Sequence, residues 1–250
     1  MYYKIIIATL FTIFLNNSLL LANEEIDEYK SSPEGKVSNT GNAKYSITKN
    51  FMAVTADPRA TISAKRMLEA GGTAMDAAIS AQMVLNLVEP QSSGIGGGAF
   101  ILYYDAKTKN IYAWDGREKA PMNFSESIFL NTNGKKKGFI EAVSGGLAVG
   151  VPSLVAMLEQ AHEVHGNMPW RSLFNDAIQL SKEGFIVGKR LAKLTSRAPH
   201  LKNQETAKEY FSIDSGGLRE GELKKNLEFP MKKCLKLEKY LMRQRKIRMD

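Results

Sequence analysis

The stretch EPQSSGIGGGAFILYY, Glu89–Tyr104, decides the fold of this chain because it leads from a helix to a strand within a few residues. Pro90 is predicted to end the preceding helix, since a proline cannot continue it. Gly94–Gly98 is predicted to form a tight turn, because glycine tolerates backbone conformations that other residues resist. Ala99–Tyr104 and Asn110–Trp114 are then expected to pair as a β-hairpin.

Two helices are predicted before this stretch. Asp57 and Pro58 form a favourable start for the first, with an N-cap carboxylate followed by proline at the first helical position. Gly71-Gly72 is expected to end that helix. Thr73 can cap the second helix, Ala74–Val88, which is apolar nearly all round and is therefore expected to be buried.

The residues after the hairpin are predicted to be mainly helical. Helices are expected over Pro152–Val164, Trp170–Lys182 and Leu191–Arg197, and one further strand is expected near the start of the chain, over Phe51–Ala56. The order of elements lacks the regular β-α-β alternation of a doubly wound sheet. It therefore favours a layered α+β architecture.

The charge of the chain is concentrated at one end. The 250 residues carry a formal net charge of +8, and Lys224–Asp250 holds ten Lys and Arg against three Asp and Glu. The body of the chain is therefore close to neutral. A nucleic-acid surface needs basic groups on a folded face, so we expect no nucleic-acid partner. Cys234 is the only cysteine, which excludes an internal disulfide.

Both ends of the chain differ in composition from the middle. Residues 1–22 resemble a secretory signal, with Lys4 before an apolar run, and an uncleaved anchor is the alternative. Residues 23–44 are polar and are predicted to be a flexible linker. Export without disulfides favours a periplasmic location. Residues 230–250 form a basic tail that is either an amphipathic helix at a membrane surface or an unstructured end; no stable membrane anchor is expected.

Arg117 is the residue that best fits a binding role. It follows the second predicted strand, and its planar guanidinium can hold a carboxylate through two hydrogen bonds, which a lysine cannot do. The alternative is an ordinary surface arginine paired with Glu118 or Asp115, since exposed ion pairs are common.

Other candidates for chemistry are weaker. The glycine cluster lies between a helix and a strand, whereas phosphate-binding loops precede a helix, so a close approach of backbones is the better interpretation. His162 and His165 lie three residues apart, which is not the spacing of a helical zinc site, so no metal is expected. Ser92, Ser93 and Ser144 lie outside any nucleophile-elbow motif.

Five segments together resemble the γ-glutamyltransferases, also called γ-glutamyltranspeptidases or glutathione hydrolases. The similarity runs from about Phe51 to about Phe229, within a predicted family region of residues 45–229. The segments are Met52–Pro58, Gly71–Ala78, Ser93–Gly98, Asp115–Pro121 and Leu147–Pro152.

The resemblance implies an N-terminal nucleophile hydrolase with an αββα sandwich, of which this chain would hold only the large-subunit part. Family members cleave themselves, and the new N-terminal threonine of the small subunit attacks the γ-glutamyl amide of glutathione. The motif assigns the binding of the substrate α-carboxylate to Arg117, with Glu118 as a weaker candidate. The implied partners are a γ-glutamyl substrate and the small subunit, and no cofactor is implied.

The chain departs from the family pattern at its C-terminal end. No segment resembles the threonine cleavage site, so no catalytic residue is assigned and the chain is expected to be inactive by itself. Lys and Arg become frequent where the similarity ends, which predicts a frameshift or a premature stop. The alternative function is a non-catalytic periplasmic module that binds amino-acid carboxylates through Arg117.

Overall fold

The computed structural model describes residues 47–228. The predicted signal (1–22), the linker up to residue 44 and the basic tail (230–250) lie outside the described residues and stay predictions. Between Ile47 and Glu228, no helix is both long and apolar enough to cross a lipid bilayer.

The first two helices begin where their capping residues predict. Helix α1 spans Pro58–Glu69, and the Asp57 side chain accepts a hydrogen bond from the backbone N–H of Arg59. Helix α2 spans Ala74–Val88 and starts with a capping box between Thr73 and Asp76. The side chain of each residue in that box satisfies a backbone N–H of the other, which fixes the first turn of the helix.

Helix α2 is the central element of the hydrophobic core. Most of its large apolar side chains are almost fully buried, notably Met75, Ile79, Met83 and Leu87. Apolar residues of the neighbouring helices complete the same cluster. Burial on nearly every face explains why the sequence of α2 shows little amphipathic periodicity.

The predicted hairpin is confirmed. Strand β1, Ala99–Asp105, pairs antiparallel with strand β2, Asn110–Gly116, so that Ile101 lies opposite Trp114 and Leu102 lies opposite Ala113. Successive side chains of a strand point to opposite faces. One face, with Ile101 and Trp114, packs on the core, and the other is exposed.

Apart from one helix of 12 residues, Leu154–His165, the remaining elements are short. The later helices are α3 (Phe139–Val143), α4 (Leu154–His165), α5 (Asn175–Glu183), α6 (Lys189–Thr195) and α7 (Glu205–Tyr210). Strands β3 (Phe185–Ile186) and β4 (Leu223–Lys224) pair antiparallel. Turns of 3-10 helix cover Glu126–Phe129, Trp170–Phe174, Pro199–Asn203 and Ile213–Ser215.

Two predicted elements differ in the structure. Phe51–Ala56 is not a strand: its side chains alternate between partly buried and exposed, as in a strand, but the segment pairs with no strand among residues 47–228. Trp170–Lys182 is not one helix but a 3-10 turn followed by α5. The backbone N–H of Ser172 bonds to the carbonyl of Pro169, the tighter spacing that is typical of a 3-10 helix.

The two neighbouring histidines have structural surroundings. The Nε2 atom of His162 lies 2.9 Å from the carbonyl oxygen of Met168 and 3.2 Å from the buried carboxylate of Asp76. His165 stacks on Tyr103, with ring centroids 4.2 Å apart. These contacts join α4 to the start of α2 and to the hairpin.

Candidate functional site

Arg117 lies one residue beyond the end of β2, beside a cleft of about 290 Å³. A cleft of this size is at the lower end of the range for small-molecule sites and suits a ligand the size of an amino acid. The cleft is lined by Arg117–Pro121, Phe124, Phe129 and Leu147–Gly150. Its lining includes three charged residues, Arg117, Glu118 and Lys119, together with apolar residues.

The guanidinium of Arg117 is accessible, although it takes part in an ion pair. Its side chain is 64% exposed, and its Nη1 atom lies 3.0 Å from Oε2 of Glu118. The surface ion pair expected under the alternative interpretation is therefore present, and the guanidinium is also exposed, so the binding role of Arg117 stays a prediction.

The side chain of Glu118 is much less exposed than that of Arg117. Its Oε2 atom is buried and accepts no well-aligned hydrogen bond, despite the short distance to Arg117. A methyl group on Gly98 would lie 2.6 Å from this oxygen, and a methyl group on Gly150 would lie 2.8 Å from the Glu118 Cβ atom. The Glu118 side chain thus lies closely against the backbones of Gly98 and Gly150, beside the guanidinium that it pairs with.

The glycine cluster allows a close approach of two backbones, those of Gly98 and Gly116, as its position between a helix and a strand predicts. A Cβ atom on Gly98 would lie 2.4 Å from the carbonyl oxygen of Gly116, whereas one on Gly94 or Gly96 would meet nothing within 4 Å. None of Gly94, Gly96, Gly97 and Gly98 has a positive φ. Space, and not a left-handed backbone, is therefore what requires glycine at position 98.

The segment before α4 completes the site. The backbone N–H of Val151 donates to the carbonyl of Lys119 at 2.8 Å, and the N–H of Leu154 donates to the carbonyl of Gly97 at 3.1 Å. The end of β2, the glycine loop and the start of α4 are thereby tied together around Arg117.

Two of these features were missed by the sequence analysis. The close packing of Glu118 depends on Gly98 and Gly150, which are remote from it along the chain. Ser153 donates its hydroxyl hydrogen to the Gly116 carbonyl at 2.5 Å, across 37 residues. The one available signal was Gly116, because a glycine within a strand often marks a close approach of another backbone.

The remaining sequence candidates lie elsewhere. Ser93 is engaged with Gln82 and Asn86 through side-chain hydrogen bonds. Ser144, His162 and His165 do not line the cleft. Within residues 47–228, no group of three or more His, Cys, Asp or Glu side chains is arranged to hold a metal ion.

Comparisons with known proteins identify the family. The model of the gamma-glutamyltranspeptidase family matches residues 60–230. The glutathione hydrolase proenzyme of Bacillus subtilis (strain 168) is 38% identical over 176 residues, which are 70% of this chain and 30% of that protein. This chain thus matches less than a third of the length of that relative.

Solved structures agree with this result. The crystal structure of the Helicobacter pylori gamma-glutamyltranspeptidase matches with a TM-score of 0.72 and 29% identity, over 79% of this chain and 56% of that chain. A cephalosporin acylase from Bacillus halodurans, 24% identical, matches with a TM-score of 0.61 over 76% of this chain and 37% of that chain, and it shows the fold alone.

The predicted α+β fold of the N-terminal nucleophile hydrolase type is therefore confirmed. The non-catalytic binding module finds no support, because the matching family and the glutathione hydrolase are named as enzymes. The chain belongs to the gamma-glutamyltranspeptidase family.

Proposed function

We propose that Arg117 binds the α-carboxylate of a γ-glutamyl group, and that this chain supplies the recognition half of a site that hydrolyses or transfers γ-glutamyl groups, with glutathione as the natural substrate. The exposed guanidinium beside the cleft carries the proposal. A fork that can form two charge-assisted hydrogen bonds suits a carboxylate better than a lysine does. The pairing with Glu118 holds one side of the fork and leaves the other for the ligand.

The reaction itself would need a nucleophile from outside residues 47–228. In the proposed reaction, a threonine hydroxyl attacks the γ-carbonyl carbon of the substrate, and the amide C–N bond breaks as the leaving amine takes a proton. Water or an amine then releases the γ-glutamyl group from the threonine oxygen. This chain would contribute positioning of the substrate, so we propose that it is inactive by itself.

The exposed face of the hairpin supports a partner for this chain. Four large apolar side chains lie on that face and are each at least 60% exposed, namely Phe100, Leu102, Tyr104 and Ile111. An apolar sheet face is normally covered by another layer. We propose that the small subunit of the same precursor covers it with a second sheet, and that residues 1–22 direct the precursor to the periplasm. No nucleic acid and no cofactor take part in this proposal.

A binding measurement on the purified chain tests the role of Arg117. L-glutamate is titrated by NMR, and the same titration is repeated with glutamate α-amide, which lacks the α-carboxylate. We expect L-glutamate to bind more tightly, and we expect Arg117→Lys to weaken its binding roughly tenfold or more, since one to two charge-assisted hydrogen bonds are lost. Arg219→Lys, which changes an exposed arginine outside the cleft, is the matched control.

Equal affinity for the two ligands, or an Arg117→Lys variant that binds like the control, would refute the assignment. Turnover is tested separately with a chromogenic γ-glutamyl anilide. The chain by itself is expected to release no anilide product, and clear release would show that the proposed inactivity is wrong.

A further inference from the structure

The peptide unit that precedes Arg117 is held at both of its polar ends by side chains. Its carbonyl, that of Gly116, accepts the hydrogen bond from the Ser153 hydroxyl at 2.5 Å. Its N–H, that of Arg117, donates to Oδ1 of Asp115 at 2.9 Å. Fixing both ends restricts rotation of this peptide plane, and the plane sets the direction in which the Arg117 Cα–Cβ bond points.

Ser153 occupies the N-cap position of α4 but does not cap it. The hydroxyl of an N-cap serine ordinarily accepts a hydrogen bond from a backbone N–H in the first helical turn. Here the Ser153 side chain makes no such bond. The hydroxyl is directed to the end of β2 instead, so its loss removes no side-chain cap from the helix.

Packing brings the start of α4 close enough to the end of β2 for the hydrogen bond between Ser153 and Gly116. Gly116 is buried, and a Cβ atom there would lie 2.6 Å from both Cβ and Sδ of Met157. The absence of a side chain thus lets β2 approach α4 directly. The backbone N–H groups of Ser153 and Leu154 both point to the carbonyl of Gly97, at 3.3 and 3.1 Å, so this serine also faces the glycine loop.

We infer that Ser153 and Asp115 are positioning residues for the guanidinium of Arg117. This inference rests on the proposed function, because it treats Arg117 as the group that binds the substrate. A guanidinium at the end of a long side chain keeps its direction only if the backbone below it is fixed. Misplacement of a binding group by about 1 Å can cost two orders of magnitude in an enzyme rate.

A measurement without ligand tests the clamp, which is the pair of hydrogen bonds by which Ser153 and Asp115 hold the peptide unit before Arg117. Amide hydrogen exchange is followed residue by residue in the full chain and in the variants Ser153→Ala, Ser153→Thr and Asp115→Ala. We expect Ser153→Ala to speed exchange of the Arg117 amide roughly five- to tenfold, the effect of losing one hydrogen bond. The threonine variant keeps a hydroxyl and should restore slow exchange.

The Leu154 amide separates positioning from a general loosening. Its bond to the Gly97 carbonyl does not use the Ser153 hydroxyl, so its exchange should be unchanged in Ser153→Ala. Equal acceleration at Leu154 and Arg117 would show a purely structural role and overturn the inference. Asp115→Ala, a change at an exposed residue, gives a second variant that should speed exchange at Arg117.

A ligand measurement connects the clamp to recognition. L-glutamate affinity should fall in Ser153→Ala and recover in Ser153→Thr, but Ser153→Ala should have no further effect once Arg117 is changed to Ala. Additive effects would overturn the inference, because they would mean that Ser153 acts independently of Arg117. If the unmodified chain binds no L-glutamate, the proposed function fails and the positioning role fails with it, whatever the exchange data show about the clamp itself.

Discussion

At the scale of single residues, Gly98 shows that a glycine can be required for space and not for its backbone angles. A methyl group at this position would lie 2.4 Å from the Gly116 carbonyl oxygen and 2.6 Å from Oε2 of Glu118. The first contact is with backbone at the end of a strand, which cannot move aside cheaply. Gly96, in the same loop, has open space around the corresponding position.

Gly98→Ala is therefore expected to destabilise the fold by about 1–3 kcal/mol, the usual cost of inserting a methyl group into a packed site. Gly96→Ala is the matched control and should leave stability unchanged or raise it by about 0.4–1 kcal/mol, since alanine reduces the freedom of the unfolded chain. Urea unfolding followed by circular dichroism measures both. Equal midpoints for the two variants would contradict the proposed close approach at Gly98.

The residues of the site differ in how far the sequence could predict them. The sequence singles out Arg117 because it lies in a short segment that resembles the family and its residue type suits a carboxylate; its binding role stays a prediction. The close packing of Glu118 and the hydroxyl bond of Ser153 were not predicted. Each depends on a contact between segments that are distant in the chain, and neither leaves a local pattern of residues.

At the scale of elements, local chemistry predicted the ends of α1, α2 and the hairpin well. The N-cap side chains of Asp57 and Thr73 act within three residues, so their effect is visible in the sequence. The predicted strand Phe51–Ala56 failed for the opposite reason. A strand needs hydrogen bonds from a neighbour, and its own sequence can supply only the alternation of side chains.

The start of α1 also carries a charge whose effect depends on pH. Burial raises the pKa of Asp57, but hydrogen bonds and the positive charge of Arg59 outweigh it and leave the pKa below its ordinary value. The carboxylate therefore stabilises the folded state above the unfolded-state pKa of about 3.9. This contribution is lost as the pH falls through the lower pKa of the folded state.

Asp57→Asn isolates that charge, because asparagine is as good an N-cap as aspartate. The difference in unfolding free energy between the unmodified chain and this variant should be constant from about pH 5 to pH 8 and should shrink below about pH 4. Urea titrations at a series of pH values measure it. A difference that stays the same down to pH 3 would mean that the ion pair with Arg59 contributes no pH-dependent stability.

At the scale of the whole molecule, the described residues bury one side of the hairpin and expose the other. Leu102 is 79% exposed and Ile111 is 70% exposed. They lie in neighbouring cross-strand pairs, opposite Ala113 and Tyr104 respectively, on the same face. Soluble proteins seldom leave such apolar patches uncovered. The segment Phe51–Ala56, which pairs with no strand among residues 47–228 and in which Val54 is 83% exposed, adds to this exposed apolar surface.

This surface predicts that the chain by itself associates with other copies as its concentration rises. The double variant Leu102→Thr, Ile111→Thr should reduce that association without lowering the unfolding midpoint, because both side chains face solvent and threonine is well suited to a strand. Val164→Thr is the matched control, since it removes a 61% exposed apolar side chain from α4, away from the hairpin face. Sedimentation velocity over a hundredfold concentration range distinguishes the variants. A monodisperse monomer with a sharp, cooperative melt at every concentration would show that the hairpin face needs no cover, and the argument for a second sheet from the small subunit would then lose its physical basis.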